Sequence, residues 1–452
     1  MYLTYSLLLC LGLIVLIPRF LFQIIAHGKY LPGVQQRLGS LPKLARQDQP
    51  TIWLHCVSVG ETQAARPLVR ELRHTFPNYR LVVSTVTATG QALARNVFRQ
   101  EAAEIIYFPF DWDWCVRRSL AVVKPDVVLM METELWPNFL RRCEKNRIPV
   151  ALVNGRISKR SFRGYRLIRF FVARVLGNMT TAVMQTEADA ERIRALGISP
   201  NKVSVGGNLK FDASPAAHVG TLTQDIGERF NLGGDVPFIL AASTHSTEEK
   251  TLLDSFHMLK ERSKTPLRLG IAPRHPERFA EVASLLDRST FTWVRRSHTA
   301  QSSDKTAEVI LFDTIGELPA VYPLATIVFV GGSMVKKGGH NVLEPASAGR
   351  PIVSGAHTDN FEAIVRLLEE NEAMIKLPAL EGPTLKAALC DVFHSLLTST
   401  EKREELARNA SHIVEANRGA ASRTLMLVTP LFQAVPNNQI ADRILTRETA
   451  NP

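Results

Sequence analysis

Carboxylates that could serve as acids or bases follow two apolar runs in the first half of the chain. Glu61 comes just after the run that ends in Val57-Ser58-Val59-Gly60, and Glu132 and Glu134 come straight after Met130-Met131. Carboxylates placed directly after buried strands are costly unless they face a site or begin a helix. Each of them is therefore either a general base beside a ligand or a carboxylate in a first helical turn, where the helix dipole favours it.

Basic residues in the same half indicate anionic ligands. Lys210 follows a glycine pair, from which an ammonium could approach an anion closely, although an exposed lysine in a loop turn is the alternative. Arg156 begins a segment that reaches Thr186 without any Asp or Glu. This segment interleaves basic and aromatic side chains, namely Lys159, Arg160, Arg163, Arg166, Arg169 and Arg174 with Phe162, Tyr165, Phe170 and Phe171. Such interleaving is typical of a contact with anionic lipid headgroups, and a solvated basic helix is the other interpretation.

The second half carries the stronger indication of a nucleotide. Glycines at 331–332 and 338–339 stand close to the segment 341–346, and glycines before a helix start can present N–H groups to a phosphate. Glu344 could accept hydrogen bonds from ribose hydroxyls, and Arg274 could bind a phosphate through two N–H groups. Ordinary surface turns remain the alternative. The glycines match neither a Walker loop nor a GxGxxG fingerprint, and His245 beside Glu248 lacks the spacing of a helical HExxH metal site.

The apolar runs around these motifs predict the scaffold that positions them. Short runs rich in Val, Ile and Leu alternate with amphipathic stretches in both halves, which is typical of parallel sheets covered by helices on both faces. The pattern restarts after residues 213–235, which we expect to be a linker. The sequence therefore predicts an α/β protein with two Rossmann-like domains, 27–212 and 236–436. Ligands of such sheets bind beyond the carboxyl ends of the strands, so we expect a cleft between the domains.

The composition and the two ends of the chain indicate which classes of partner and which compartment to expect. The net charge of +11 favours anionic ligands, and five scattered cysteines without a CxxC pair argue for a reducing compartment and against a cysteine zinc site. Residues 1–26 are mostly apolar and are followed by basic residues, which predicts an uncleaved membrane anchor with the rest of the chain in the cytoplasm. An apolar helix packed on the protein is the alternative. The anchor favours a membrane surface over nucleic acid, and residues 437–452 read as a polar tail.

Taken together, the motifs resemble those of the 3-deoxy-D-manno-octulosonic acid (Kdo) transferases of lipopolysaccharide biosynthesis. The matching strings cover both halves in the family's order. They are VSVGE (57–61), METELWPN (131–138), NGRIS (154–158), GNLKFD (207–212), STHSTEE (243–249), APRHPER (272–278) and GGHNVLEPA (338–346). The resemblance implies a GT-B fold and an inverting transfer of Kdo from CMP-Kdo to lipid IV-A, at the cytoplasmic side of a bacterial inner membrane with anionic lipids. It implies no cofactor and no metal.

The resemblance also implies roles for particular residues. Glu61 would be the base, and Glu132 and Lys210 would stabilise the transition state. The CMP-binding positions would be Pro273, Arg274, Ile315, Gly316, Glu317, Asn341, Val342, Leu343 and Glu344. Two other functions stay open: a sugar-nucleotide epimerase with the same two-domain fold, and a non-catalytic membrane adaptor. The anchor and the basic aromatic segment argue against the first, and the intact carboxylates and lysine argue against the second.

Overall fold

The computed structural model describes residues 2, 4–12, 33–42, 49–213, 220–263 and 265–433. Contacts between Cα atoms divide the chain into two compact units. The first unit takes the described residues up to Ala213 and those from Asn417 onward, and the second takes the described residues between them. Each unit is built on its own parallel sheet, as the alternation of apolar and amphipathic stretches predicts.

The first unit contains a seven-stranded parallel sheet with the strand order β3-β2-β1-β4-β5-β6-β7. Its strands are buried runs of Val, Ile, Leu and Met, because helices cover both faces of a parallel sheet. The strands are β1 (Thr51–His55), β2 (Arg80–Thr85), β3 (Glu104–Tyr107), β4 (Val127–Met131), β5 (Val150–Gly155), β6 (Thr181–Met184) and β7 (Val203–Val205). Strands β2 and β3 are added on one side of β1 and strands β4 to β7 on the other, so the order of strand addition switches between the neighbours β1 and β4. Such folds bind their ligands at this switch point.

Most of the helices in this unit bury an apolar face, whereas Val34–Arg37 and Lys159–Leu167 bury no residue. Besides the helical residues 4–12, the described helices of this unit are Val34–Arg37, Val59–Thr75, Ala88–Val97, Asp113–Val123, Pro137–Lys145, Lys159–Leu167, Arg169–Gly177, Glu187–Ala195 and Ala420–Gln433, with 3₁₀ turns at Pro200–Lys202 and Leu209–Phe211. Two apolar clusters lie on opposite faces of the sheet. Trp53 on β1 is fully buried in one of them and contacts Phe139 edge-on, with 5.2 Å between ring centroids.

The second unit repeats the architecture with the strand order β10-β11-β9-β8-β12-β13-β14. Its strands are β8 (Phe238–Thr244), β9 (Arg268–Pro273), β10 (Trp293–Arg295), β11 (Val309–Leu311), β12 (Ile327–Val330), β13 (Ile352–Ser354) and β14 (Ile375–Lys376). The described helices are Gly220–Phe230, Glu248–Ser263, Phe279–Asp287, Leu318–Val321, Leu343–Ser347, Glu362–Glu370, Gly382–Thr398 and Thr400–Asn417, with 3₁₀ turns at Pro276–Arg278, Ser302–Lys305, Tyr322–Leu324 and Asp359–Phe361. Here the switch point lies between β8 and β12.

Two of the predicted domain boundaries are wrong. Residues 220–230, predicted as linker, form a helix of the second unit, and Arg229 from this helix pairs with the buried Asp304. Residues 417–433, predicted as part of the second domain, belong to the first unit. The physical reason is the helix Ala420–Gln433, whose apolar face completes the cluster on one face of the first sheet.

Asp212 fixes the start of this last helix. Its carboxylate accepts hydrogen bonds from the backbone N–H groups of Gly419 at 2.8 Å and Ala421 at 2.7 Å. At the other end of the helix, Phe432 stacks on Phe76 with 4.2 Å between ring centroids, and Tyr79 donates a hydrogen bond to the Phe432 carbonyl. The first unit is therefore built from two separate parts of the chain.

Phe432→Ala is expected to destabilise the first unit by about 3 kcal/mol, because it removes a buried aromatic ring from a packed cluster. Met426→Ala in the same helix is the matched control, since Met426 is 66% exposed and its loss should cost under about 0.5 kcal/mol. Urea unfolding followed by tryptophan fluorescence measures the difference, because Trp53, Trp112, Trp114 and Trp136 all lie in this unit. Equal unfolding midpoints for the two variants would contradict the assignment of this helix to the first unit's core.

The predicted N-terminal anchor falls largely on residues 13–26, which lie outside the described residues. Residues 4–12 are helical and pack on the first unit through aromatic contacts. The Tyr5 hydroxyl donates a hydrogen bond to Asp111 at 3.0 Å, and the Tyr2 and Tyr5 rings contact Phe171 with centroids 6.1 and 5.8 Å away. In the part of the chain that the structure describes, no helix combines the length and the apolar character needed to cross a bilayer.

Candidate active site

Glu61 lies at the amino end of the helix Val59–Thr75, directly beyond β1. Ser58 caps this helix, and the Glu61 carboxylate reaches back to the residues before it. Its Oε2 accepts a hydrogen bond from the Val57 backbone N–H at 2.8 Å, and its Oε1 accepts one from the Ser58 hydroxyl at 3.2 Å. Glu61 can therefore be both a carboxylate of the first helical turn and a general base, because the contacts that stabilise the helix start also orient this carboxylate.

The surroundings of Glu61 suit a base. Burial raises the pKa of Glu61 to about 8, and the negative charges of Glu132 and Glu134 also raise it, against the hydrogen bonds from Val57 and Ser58. A carboxylate with a pKa near the working pH combines a sizeable deprotonated fraction with strong basicity. Burial, together with the charge of Glu132, similarly raises the pKa of Glu134 to about 7. Crowded carboxylates at one edge of the sheet are typical of a functional site.

Glu132 occupies a strained turn at the end of β4. Its φ of 54° lies in the left-handed region, which residues with a Cβ rarely adopt, and its backbone N–H donates to the Val153 carbonyl at 3.0 Å. Asn154 on the neighbouring β5 also has a φ of 54°, and the pairing register with β6 shifts at this position. Local strain and strand irregularities re-aim side chains and occur frequently beside active sites.

Lys210 approaches these carboxylates from the 3₁₀ turn Leu209–Phe211. Asn154 places this turn, because its side-chain oxygen accepts a hydrogen bond from the Leu209 N–H at 3.0 Å. Burial lowers the pKa of Lys210, while the charges of Glu132 and Glu61 raise it and that of Arg156 lowers it. The first unit thus brings together Glu61, Glu132, Arg156 and Lys210, which are far apart in sequence.

Two of the predicted nucleotide residues, Asn341 and Arg274, act on the buried carboxylate of a third, Glu344. Asn341 donates a hydrogen bond from its side-chain nitrogen to Glu344 at 3.0 Å, and its oxygen accepts one from the Leu343 N–H. Burial raises the pKa of Glu344, whereas hydrogen bonds from Asn341 and Tyr322 and the charge of Arg274 lower it. Val342 and Leu343 are buried, so neither offers its side chain to a ligand.

The segment 315–317 has a different character. Ile315 is 80% exposed, and Gly316 has a φ of 84°, which favours glycine. The Glu317 carboxylate accepts two hydrogen bonds from Arg296, at 3.0 and 3.1 Å, and one from Thr314 at 2.6 Å. Glu317 therefore holds this loop in place, while Pro273 ends β9 and sets the position of Arg274.

The expectation that the first glycine pair offers N–H groups to a phosphate is wrong. The buried carboxylate of Glu248 already accepts hydrogen bonds from the N–H groups of Gly332, Ser333 and Met334, at 2.8 to 3.0 Å. It also accepts one from the His245 N–H at 2.9 Å. Glu248 thus locks together the loops that follow β8 and β12.

Three histidines in the same unit were missed as a group by sequence reasoning. His245 follows β8, His275 follows β9, and His340 belongs to the glycine-rich segment after β12. The His245 and His340 Nε2 atoms lie 2.8 Å apart, and the His245 and His275 ring centroids are 5.2 Å apart. The available signal was their position, since each stands within a few residues of the glycine, arginine or serine motifs that follow these strands.

Comparisons with known proteins show which family the chain resembles. A family model described as "3-Deoxy-D-manno-octulosonic-acid transferase (kdotransferase)" matches residues 32–213. The chain is 34% identical over 90% of its length to the 3-deoxy-D-manno-octulosonic acid transferase of Haemophilus influenzae, covering 92% of that protein. It is 33% identical over 83% of its length to the enzyme of the same name from Bordetella pertussis, covering 86% of it.

A solved structure shares the fold. The UDP-GlcNAc 2-epimerase from Neisseria meningitidis, solved with UDP-GlcNAc, covers 85% of this chain and is itself covered completely, with a TM-score of 0.55. The identity is 15%, so this likeness concerns the fold alone. It supports the assignment of both units to the two-domain α/β class.

Proposed function

We propose a specific reaction for this chain from one premise: the chain belongs to the 3-deoxy-D-manno-octulosonic acid transferase family. It is a glycosyltransferase of lipopolysaccharide biosynthesis that transfers Kdo. The proposed donor is CMP-Kdo, and the proposed acceptor is lipid IV-A. The observation that carries the proposal is the convergence of Glu61, Glu132 and Lys210 at the β1–β4 switch point of the first unit.

Glu61 is the proposed general base. It removes the proton from a primary hydroxyl of the acceptor sugar, and the oxygen attacks the anomeric carbon of the donor opposite the departing CMP. The new C–O bond forms as the bond to the phosphate oxygen breaks, the electron pair leaves with CMP, and the configuration inverts. The two hydrogen bonds that Glu61 accepts from Val57 and Ser58 fix the carboxylate for this step.

Lys210 and Glu132 are proposed to stabilise the transition state. The Lys210 ammonium, partly neutralised by the nearby carboxylates, offers a positive charge in a buried setting, where charges interact more strongly than in water. In the second unit, Arg274, Asn341 and Glu344 are the proposed contacts to the cytidylate, with Glu344 accepting hydrogen bonds from hydroxyl groups.

Incubation of the full-length chain with CMP-Kdo and lipid IV-A, followed by mass spectrometry of the lipid, tests this function. The expected product is heavier by one or more Kdo residues, with an equal amount of CMP released. A lipid of unchanged mass in the presence of intact CMP-Kdo would refute the proposed reaction. A parallel incubation with UDP-GlcNAc in place of CMP-Kdo tests for epimerase activity. No epimerised sugar is expected.

A membrane contact on the first unit is proposed to deliver the lipid acceptor. The helices Lys159–Leu167 and Arg169–Gly177 meet at an exposed apolar corner, where Leu167 is 88%, Ile168 is 52% and Phe170 is 81% exposed. Arg163, Arg166 and Arg169 are exposed around it. Exposed apolar groups surrounded by arginines suit a bilayer that contains anionic lipids.

Fewer aromatic rings of the basic segment 156–186 are exposed than its sequence predicts. Phe162, Tyr165 and Phe171 pack partly against the core, which leaves Phe170 as the exposed ring of the predicted set. Phe171 also contacts the helix at residues 4–12, on which Leu7, Leu8 and Leu11 are 58 to 62% exposed. These leucines add exposed apolar side chains to the same unit. The proposed place of action is the cytoplasmic face of a bacterial inner membrane.

The double variant Leu167→Ser/Phe170→Ser is expected to bind vesicles at least about 10-fold more weakly, because each lost apolar side chain removes about 1.5–3 kcal/mol of transfer free energy. Sedimentation with vesicles that contain phosphatidylglycerol measures the change. Met426→Ser, which removes another exposed apolar side chain from the same unit, is the matched control and should bind as the wild type does. Unchanged binding of the double variant would contradict the proposed contact.

A further inference from the structure

A histidine corner in the second unit, formed by His245, His275 and His340, has no role in the reaction described so far. The His245 and His340 rings are nearly parallel, with an interplanar angle of 5° and 5.0 Å between centroids. Their Nε2 atoms face each other at 2.8 Å, a hydrogen-bonding distance. His275 meets the His245 ring edge-on at 5.2 Å. The corner therefore contains a direct imidazole–imidazole hydrogen bond.

That hydrogen bond limits the charge that the two rings can hold. A neutral imidazole has one N–H donor and one acceptor nitrogen, whereas both nitrogens of an imidazolium are donors. The contact between the two Nε2 atoms needs one proton between them, so it exists when both rings are neutral or when one ring is charged. With both rings charged, two N–H groups would point at each other. The His245–His340 pair therefore accepts at most one additional proton.

The other charges around the pair are mostly positive. Arg274 and His275 from the loop after β9, Arg278 from the next turn, and Lys337 from the loop after β12 all act on His245. Arg274 and His275 also act on His340. Burial and these charges lower the pKa of both His245 and His340 to about 4. Two buried carboxylates lie beside the corner: Glu248, whose oxygens accept four backbone hydrogen bonds, and Glu249, which pairs with Arg278 at 2.5 Å.

The backbone holds the two rings against each other. Gly332, with a φ of 68°, lies so close that a Cβ there would come within 2.9 to 3.0 Å of the His340 ring and 3.4 Å of the His245 ring. Glu248 binds the N–H groups of both Gly332 and His245 and so fixes both sides of the pair. Arg274, His275 and Lys337 are exposed beside it, which leaves positive groups open to a ligand.

We infer that the histidine corner, with Arg274 and Lys337, binds the phosphate of the nucleotide, and that the His245–His340 pair takes up one proton from solvent when a phosphate monoester binds. The inference rests on the proposed function, because it concerns the same donor. A phosphate matches the corner because a dianion balances several positive groups, and its negative charge favours protonation of the histidine pair. The phosphate oxygens then accept hydrogen bonds from the imidazolium and the guanidinium.

The charge change of the reaction fits this arrangement. In CMP-Kdo the phosphate links two sugars and carries one negative charge, and after the C–O bond breaks the released CMP gains a second. The proton that the histidine pair takes up from solvent as the monoester forms offsets that second charge, and no proton passes from the pair to the phosphate. The hydroxyl proton of the acceptor goes to Glu61, so atoms and charges balance.

Titration calorimetry of CMP binding to the full-length chain between pH 5.5 and 8.5 tests the inference with His340→Gln. A group whose pKa rises on binding strengthens binding most at low pH, and the gain is lost as the pH rises through its value in the complex. The ratio of the variant Kd to the wild-type Kd should therefore be about 10-fold or more at pH 5.5 and fall to about 2-fold at pH 8.5. Taking the ratio cancels the titration of CMP itself.

Cytidine and inorganic phosphate separate the parts of the ligand. Cytidine should bind the wild type and His340→Gln equally at every pH, which also shows that the variant is folded, while inorganic phosphate should reproduce the pH-dependent ratio. His275→Gln, a change at an exposed position, should weaken binding of CMP but not of cytidine at pH 5.5. His257→Gln, on an exposed part of the helix Glu248–Ser263, should match the wild type.

A Kd ratio that stays constant with pH would overturn the proton uptake. Equal CMP affinities for His340→Gln, His275→Gln and the wild type would show that the phosphate does not bind at this corner. Either result with normal Kdo transfer would leave the proposed function intact. A wild-type chain that transfers no Kdo and binds no CMP would instead overturn both the proposed donor and this inference.

Discussion

Glu61→Gln is expected to lower the turnover of Kdo transfer by about 10³-fold while leaving CMP affinity unchanged. The amide keeps the size of the side chain and can still accept the Val57 hydrogen bond, but it cannot take a proton from the acceptor hydroxyl. Steady-state kinetics with lipid IV-A, together with calorimetry of CMP binding, measure the two effects separately. Glu144→Gln, an exposed change on the helix Pro137–Lys145, is the control and should keep full activity.

The pH profile gives a second test of the same residue. A base acts when it is deprotonated, and the pKa of Glu61 is raised to about 8, so the wild-type rate should increase with pH and level off above about 8. Glu61→Gln should lose this limb and show a low rate at every pH. Near-normal turnover in the variant, or a wild-type rate that is already constant from pH 6 upward, would contradict the assignment of Glu61 as the base.

Lys210→Met is expected to reduce turnover by about 10²-fold and to move the rising limb of the pH profile to higher pH. The lysine charge opposes the negative charges of Glu61 and Glu132, so its removal makes deprotonation of Glu61 harder. A shift of up to about one pH unit is expected, because an opposite charge nearby changes a carboxyl pKa by roughly 1–3 units and its effect falls with distance. Turnover measured from pH 6 to 10 gives both quantities.

Two further variants separate the charge of Lys210 from its packing. Lys210→Arg keeps a cation and should retain the position of the pH limb, even if turnover falls because the fork of an arginine fits the space differently. Lys145→Met removes an exposed lysine from the first unit and should change neither quantity. A Lys210→Met enzyme with a reduced rate but an unshifted limb would place the lysine away from Glu61, and an unchanged rate would exclude it from the reaction.

Periodicity predicts the strands of both sheets well, because burial on both faces leaves a strong apolar signal. Local chemistry decides where a strand ends: the first apolar run continues to Val59, but β1 ends at His55 because Ser58 already caps the next helix. The short edge strands Trp293–Arg295 and Ile375–Lys376 were not predicted, because their residues are only partly buried and carry no clear alternation. The last helix packs on the first unit through Asp212, which lies more than 200 residues earlier in the chain. No local sequence pattern therefore predicts this packing.

The candidate site was predictable where a motif follows a strand, since parallel strands bring their carboxyl ends to one edge of a sheet. Glu61, Glu132 and Lys210 are examples, and the structure brings them together. The first glycine pair was misassigned because the carboxylate that occupies its N–H groups lies 84 to 86 residues away. The histidine corner was missed for the same reason, as His245 and His340 are 95 residues apart and each looks unremarkable alone.

The return of residues 420–433 to the first unit has a consequence for how the protein is made. Because synthesis proceeds from the amino terminus, the ribosome releases the whole second unit before the helix that completes the first. Until then, the apolar cluster on one face of the first sheet lacks the side chains of Leu425, Val428 and Phe432, and the part that they cover stays exposed to water. A nascent chain arrested before residue 420 should therefore be sensitive to proteases in its first unit and should recruit chaperones, whereas its second unit can already be folded.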